Sequence, residues 1–188
     1  MLERVREMNN AELIGLAKNR FLPGDLQLAV AKTHYTRAQG YLAQNEGLKK
    51  SVRDWLWSDE CNRGYSLKSV LIACNQFGAS DTEKYWELYE RYPSAWSRSR
   101  WRMLQAFIGS WWTPGESETP ADLLNAIYDN YLCPKREEHK PHGWHTRGHL
   151  ERIIKHKNAD LKLAIKISQC GVSQIEPLGF QKIVELST

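Results

Sequence analysis

Apolar residues in this chain recur at the spacing of a helix, in short segments that end after two or three turns. Leu13 and Ala17 share one face of a helix predicted over residues 10–18, and Asn9 or Asn10 suits its N-cap. No segment shows sustained alternation of apolar and polar residues, and no Asn-Gly or Asp-Gly turn occurs. The pattern therefore predicts an all-α fold.

Isolated helices of this length are marginal in water, because nucleating the first turn costs more than its hydrogen bonds return. Each helix must pack against neighbours on both sides, as in an α-solenoid of antiparallel helix pairs, the HEAT-like arrangement. We predict a single helical domain over residues 1–188, irregular in its middle. The clearest repeats fall in 1–78, longer aromatic helices in 80–132, a polar loop in 133–144 and C-terminal helices in 145–188.

A six-residue pattern, Asp-Leu-x-x-Ala followed by Val or Ile, occurs three times. The copies begin at Asp25, Asp122 and Asp160, and the last two begin 38 residues apart, within the usual range for paired-helix repeats. The pattern predicts an acidic residue at a helix start, an apolar contact, and a small Ala where two helices approach closely. Coincidence among common helix residues is the alternative interpretation, because short degenerate patterns often arise by chance.

Segments 13–19, 28–32 and 41–45 each place Leu, Ala and a polar terminating residue in a similar order. On these residues, the stretch 13–74 resembles the bacterial leucine-rich-variant repeats and, more loosely, HEAT-like repeats. The resemblance implies an α-helical superhelix with a scaffold role, and it carries over no catalytic residue. Residues 80–150 depart from the repeat pattern, with two polar loops.

Composition argues against disorder and against a membrane span. Hydrophobic residues make up 41% of the chain and eight residues are Trp, which is more large apolar surface than disordered segments carry. No apolar run reaches the length of a membrane span, and the charged start, residues 1–7, lacks the core of a signal peptide. We expect a cytoplasmic protein without a cofactor. Its cysteines are expected to be reduced and buried: they are Cys61, Cys74, Cys133 and Cys170.

The net charge of +4 is unevenly distributed. Residues 92–112 contain three Arg and no acid, and residues 135–157 contain seven Lys or Arg against three Glu. These two segments carry +7, so the rest of the chain is net acidic. This uneven distribution of charge indicates a basic face that contacts a negatively charged partner. The alternative is a basic surface that only contacts solvent.

Five arginines are the candidate binding residues: Arg98, Arg100, Arg102, Arg147 and Arg152. The first and third of these lie one helical turn apart, and the planar guanidinium suits both protein interfaces and phosphates. A partner protein is the first expectation, and a nucleic acid is the second. The alternative is a basic helix whose aliphatic stems merely cover the core.

A His-rich segment raises the question of a metal. His145 and His149 lie four residues apart and would share a helix face, a spacing that can chelate a metal ion. The residues between them are not those of the HExxH signature, and the neighbouring arginines would repel a cation. These two residues are therefore weak metal candidates, and a polar loop with solvent-exposed imidazoles is the alternative.

No sequence motif identifies a particular enzymatic reaction. The chain has no Gly-rich phosphate loop, no G-x-S-x-G and no placeable pair of carboxylates. Charged residues near Trp55 and Trp57, among them Asp54 and Lys68, are interpreted as polar contacts between repeats. The functional hypothesis is a non-catalytic scaffold that binds a macromolecule, a protein in the first place. The alternative is a nucleic-acid-binding HEAT-like protein, extending to an enzyme that acts on DNA. The oligomeric state stays open.

Overall fold

The computed structural model describes residues 2–33, 35–61, 64–91, 104–109, 117–135 and 144–188. Within these ranges the backbone forms helices and their connections and contains no strand, which confirms the all-α prediction. No helix in the same ranges is both long enough and apolar enough to cross a membrane.

The helices are short, and turns of a few residues join many of them. Up to residue 91 they are α1 (Leu2–Glu7), α2 (Asn10–Lys18), α3 (Gly24–Lys32), α4 (Thr36–Ala43), α5 (Lys50–Trp57), α6 (Gly64–Ala73) and α7 (Thr82–Glu90). A 3-10 turn at Asp59–Cys61 lies between α5 and α6. Residues 104–108 are also helical. The later helices are α8 (Ala121–Ile127), α9 (Trp144–Lys155), α10 (Leu161–Ser168) and α11 (Glu176–Ser187), and a π-helical turn, Tyr128–Leu132, extends α8.

The start of α2 shows how local sequence sets these helices. The Asn9 side chain accepts hydrogen bonds from the backbone N–H groups of Ala11 and Glu12, at 2.9 and 3.1 Å. The Glu12 carboxylate in turn accepts from the Asn9 backbone N–H at 2.9 Å. This capping box satisfies N–H groups that have no partner within the helix. The predicted helix over residues 10–18 is confirmed, with Asn9 as its cap.

Helices contact not only their chain neighbours but also the helices two positions away. In the first part of the chain, α1 contacts α3, α2 contacts α4, α3 contacts α5, and α4 contacts α6. Odd-numbered helices thus lie beside odd-numbered ones, and even-numbered beside even-numbered. Near the C-terminus, α11 packs along α10 and also reaches α9, while α10 contacts α8.

The apolar core is continuous from α1 to α11. Its fully buried members include Val30, Leu42, Val52, Leu71, Leu88, Leu123, Ile127, Leu150 and Leu163. Every described helix except α1 and α11 contributes two or more residues to this core, and α1 contributes Val5, which explains why such short helices are stable together. Most of the favourable energy of folding comes from removing this apolar surface from water.

Buried amide side chains connect neighbouring turns of the chain. The Gln27 side-chain NH₂ donates to the carbonyl oxygens of Leu22 and Gly47, both at 2.9 Å. The Asn45 side-chain NH₂ donates to the carbonyl oxygen of Ala17 at 2.8 Å. Each bond satisfies a backbone carbonyl at a helix end or connection, where the helix itself supplies no donor.

None of the four cysteines forms a disulfide. Cys61 and Cys170 are buried, as predicted, whereas Cys74 and Cys133 are half-buried. Burial raises the pKa of the Cys74 thiol and of the Cys170 thiol. These two groups therefore stay protonated at neutral pH, which makes them poor nucleophiles.

Candidate functional site

The five arginines predicted to bind a partner do not form one described surface. Arg98, Arg100 and Arg102 lie outside the described residues. On α9, Arg147 is exposed, whereas Arg152 is half-buried and donates to the Gly109 carbonyl oxygen at 3.3 Å. Because Arg152 lies five positions after Arg147, the two side chains point about 140° apart around the helix. The structure does not bring them together, and it gives Arg152 a packing role.

The histidines give no support to a metal centre. His149 is only 5% exposed, so the expectation of a solvent-exposed imidazole is wrong at this position, because its side of α9 packs inward. The side chain of His145 lies outside the described part of the chain. Among the residues that the structure describes, no group of three or more His, Cys, Asp or Glu side chains could hold a metal ion.

A charged junction links α5, α6 and α7. The Trp57 indole N–H donates to the Glu87 carboxylate at 2.8 Å, and Lys68 Nζ donates to its other oxygen at 3.2 Å. Arg91 and Lys84 lie 3.2 and 3.7 Å from the same carboxylate. Burial alone would raise the pKa of Glu87, but the bonds from Trp57 and Lys68 and the nearby charges outweigh it, and the pKa falls.

This junction holds helices together and is poorly suited to bases or substrates. Trp57 is 4% exposed and its ring edge contacts Phe77, with the centroids 4.8 Å apart. Lys68 Nζ lies over the Trp57 ring, 5.1 Å from its centroid. An indole enclosed in this way has no free face on which a nucleic-acid base could stack. The predicted polar contacts are present here, between helices, at Lys68 and Trp57.

A Ser–His contact in the interior could be mistaken for a catalytic pair. Ser117 Oγ lies 3.4 Å from His156 Nε2, and both residues are 1% exposed. His156 Nδ1 accepts from the Asn158 backbone N–H at 3.1 Å, so the neutral ring carries its proton on Nε2. The Ser117 hydroxyl donates its own proton to the Phe107 carbonyl oxygen. His156 therefore cannot act as a base toward Ser117, and the pair is structural.

Exposed large apolar side chains are concentrated at the C-terminal end. Six are exposed among the described residues: Phe21, Leu161, Ile165, Phe180, Val184 and Leu186. Five of these six belong to α10 and α11, the last two helices. Since single apolar residues on a surface are ordinary and clusters are not, this concentration distinguishes one end of the molecule from the rest.

The six-residue pattern also shows that this end of the molecule is unusually exposed. Each copy of the pattern carries two apolar residues one turn apart: Leu26 and Val30, Leu123 and Ile127, Leu161 and Ile165. In the first two copies all four side chains are buried, with at most 9% exposure. In the third copy, Leu161 is 45% exposed and Ile165 is 43% exposed. The predicted apolar contact is present in two copies and wrong for the third, where no described helix covers it.

α11 brings further apolar residues to the same place. Gly179 lies so close to α10 that a Cβ there would overlap the backbone of Ala164 and Ser168. Gly179 is near the start of α11 and Ser168 is at the end of α10, and the two helices contact along their length, so α11 turns back and runs antiparallel to α10. When two antiparallel helices touch at one residue of each, the next residue along each helix points to the same side of the pair. Ile165 follows Ala164 and Phe180 follows Gly179, so both point to one side.

The terminal face is defined by four residues, Leu161 and Ile165 of α10 and Phe180 and Val184 of α11. Within each helix the two residues are four apart, so they share one side. Phe180 is 57% exposed and Val184 is 63% exposed. The face is therefore two adjacent apolar stripes on the side of the helix pair that faces solvent.

Polar contacts hold α10 rigidly beneath this face. The Asp160 carboxylate caps the helix by accepting from the Leu163 backbone N–H at 2.8 Å. The same oxygen accepts from the Asn125 side chain of α8 at 2.9 Å. On the far side, Lys166 Nζ donates to Asp129 at 2.6 Å. A support that is fixed before binding lowers the entropic cost of association.

Sequence reasoning missed the terminal face, although one signal was present. α10 carries two apolar stripes, because Leu163, Ala164 and Ile167 face the core while Leu161 and Ile165 face outward. A helix at the surface of a protein normally needs only one such stripe. The second stripe therefore distinguishes α10 from an ordinary surface helix.

Comparison with known proteins finds no match to a family, to a curated protein or to a solved structure.

Proposed function

We propose that this protein is a non-catalytic helical scaffold that binds a partner protein through the terminal face. The single observation that carries the proposal is the concentration of exposed large apolar side chains on α10 and α11. Burial of such surface is the main favourable term in protein association. The largest exposed apolar patch on a protein surface is often a functional one.

The scaffold, in this proposal, is a HEAT-like α-solenoid. Contacts between every second helix from α1 to α6 support it, because stacked helix pairs bring like helices together in this way. α11 turns Phe180 and Val184 outward, as expected where a partner packs against this helix pair.

The alternative proposal is nucleic-acid binding, extending to an enzyme that acts on DNA. Exposed Arg147 and the two basic segments, 92–112 and 135–157, favour it. Two observations weigh against it: Trp57 is enclosed, and Arg152 is bonded to the Gly109 carbonyl oxygen. A protein partner is therefore the better-supported proposal.

A pull-down with the full chain from its source cells tests the protein proposal. Phe180→Asp with Val184→Asp places charges in the terminal face at positions that are already exposed, so the fold is retained. Phe21→Asp is the matched control, since Phe21 is 77% exposed but lies between α2 and α3. The double variant should lose proteins that the wild type and the control retain. Equal recovery by all three proteins would refute binding through this face.

The salt dependence of binding distinguishes the nucleic-acid proposal from the protein proposal. Nucleic-acid affinity falls steeply with ionic strength because bound counterions are released, whereas apolar contacts depend weakly on salt. Titration of the wild type with duplex and single-stranded DNA at low salt should show no saturable binding. Saturable binding that disappears on raising the salt would favour the nucleic-acid proposal instead.

A further inference from the structure

The repeat pattern identifies the kind of element that the terminal face binds. We propose that it seats an amphipathic α-helix of the partner protein, with an acidic residue of that helix opposite Lys162. This inference rests on the proposed function, because it names the partner's binding element at the same face. It adds a prediction about secondary structure and charge that protein binding alone does not make.

The buried copies of the pattern show what normally covers these positions. Leu26 and Val30 lie on α3, whose described contacts are with α1, α2, α4 and α5. Leu123 and Ile127 lie on α8, which contacts the π-helical turn and α10. In both copies, the described elements that pack on the pattern's helix are helical. The third copy exposes the same two positions that are buried among helices in the other two copies.

The geometry of the face also suits a helix. Two antiparallel helices with apolar stripes on the same side leave a groove between them, and a third helix can lay one apolar side along it. The groove is as long as α10, eight residues, or about 12 Å at 1.5 Å per residue. A partner helix of about two to three turns fills it, with anchors at i, i+3 or i+4 and i+7.

The size of the face favours such a segment over a second copy of the chain. Four large apolar side chains, each about half exposed, offer on the order of 300–400 Å² of apolar surface. A stable dimer interface buries about 800 Å² on each partner. Because homodimer interfaces are about 65% apolar, a dimer needs on the order of 500 Å² of apolar surface from each partner, which is more than the terminal face offers. The face suits one side of a short helix.

Charge gives the partner helix a further property. Lys162 is exposed beside Leu161, and it makes no ion pair with any residue in the described ranges. The other charged side chains of α10 and α11 are engaged: Lys166 with Asp129, Lys182 with Glu185, and Glu176 with the Gly171 backbone N–H. A lone cation at the rim of an apolar groove is complementary to an acid on the partner.

The test uses two displayed peptide libraries and the full chain. Both libraries have the same composition and a length of about twelve residues, but one places Leu at helical spacing and the other at strand spacing. Selection on the wild type should enrich the helical library, with acidic residues near one end of the apolar stripe. Enrichment of both libraries alike would overturn the proposal.

Variants then place the selected peptides on the face. Phe180→Asp should weaken their binding at least tenfold, Phe21→Asp should leave it unchanged, and Lys162→Glu should weaken it about threefold and reduce its salt dependence. A proline at the centre of a selected peptide should abolish binding, because it breaks a helix. Unchanged affinity of the Phe180→Asp variant, or tolerance of the proline, would overturn the proposal.

Two outcomes separate this inference from the proposed function. If the double variant of the terminal face loses its cellular partner while the strand-spaced library binds as well as the helical one, the scaffold proposal stands and the helix proposal fails. If the wild type sediments as a dimer and Phe180→Asp restores the monomer, the occupant is a second copy and the helix proposal also fails. A monomeric wild type with helix-selective binding is the expected result.

Discussion

Among the residues that the structure describes, Glu87 is the one on which most charges converge, and its ionisation should contribute to stability. Glu87→Gln keeps an oxygen that can accept from Trp57 but removes the charge that offsets Lys68 and Arg91. Because the side chain is 30% exposed and solvent screens part of the interaction, we expect a loss of about 1–2 kcal/mol at neutral pH. Urea unfolding at several pH values measures it.

The pH dependence follows from the lowered pKa of Glu87. A carboxyl whose folded-state pKa lies below its unfolded value stabilises the protein above the unfolded pKa, and this stabilisation is lost as the pH falls through the folded pKa. The stability difference between wild type and Glu87→Gln should therefore be full above about pH 4.5 and shrink below it. Glu83→Gln makes the same substitution at an exposed site on the same helix and serves as the matched control.

A substitution at Gly47 tests how closely the connection between α4 and α5 approaches the connection between α2 and α3. A Cβ at this position would collide with the backbone carbonyl of Arg20, which has little freedom to move. Gly47→Ala should lower the free energy of unfolding by about 1–3 kcal/mol. Gly40→Ala is the matched control, because open space surrounds Gly40 within α4, and it should stabilise by about 0.5–1 kcal/mol. Equal effects would contradict the close contact.

At the scale of a helix, Asp160 connects the start of α10 to α8. Asp160→Ala removes an N-cap and also leaves the Asn125 NH₂ group without its partner on α10. Asn9→Ala removes a capping residue alone, at the start of α2. Denaturant unfolding should show a loss of about 1 kcal/mol for Asn9→Ala and about 2 kcal/mol for Asp160→Ala. A smaller loss at Asp160 would mean that the link between helices contributes nothing.

Helix positions were largely predictable from sequence, because caps and apolar spacing are local. Asn9 and the helix over residues 10–18 followed from neighbouring residues alone. Whether a neighbour covers an apolar stripe is not local: Leu26 and Leu161 occupy the same position of the same pattern, yet one is buried and the other exposed. Likewise, nothing near Arg152 in the sequence indicates that it reaches the Gly109 carbonyl oxygen.

For the whole molecule, the contacts between helices predict how stability is distributed. Helices up to α6 contact neighbours one or two positions away, and α10 and α11 contact α8 and α9. In a stacked arrangement, stability is approximately a sum of unit and nearest-neighbour terms, so a local perturbation should remain local. In a single cooperative core, the same perturbation would spread to every helix.

Hydrogen exchange of two glycine variants distinguishes these cases. Gly47→Ala strains the connection between α4 and α5, and Gly179→Ala pushes α11 away from α10, because a Cβ there overlaps the Ser168 backbone. We expect amide exchange to accelerate about tenfold or more in α2–α5 for the first variant and in α10–α11 for the second, with little change at the opposite end. Gly179→Ala should also weaken partner binding, since it displaces Phe180 from Ile165, whereas Gly47→Ala should not. Uniform acceleration along the chain in both variants would contradict the stacked arrangement.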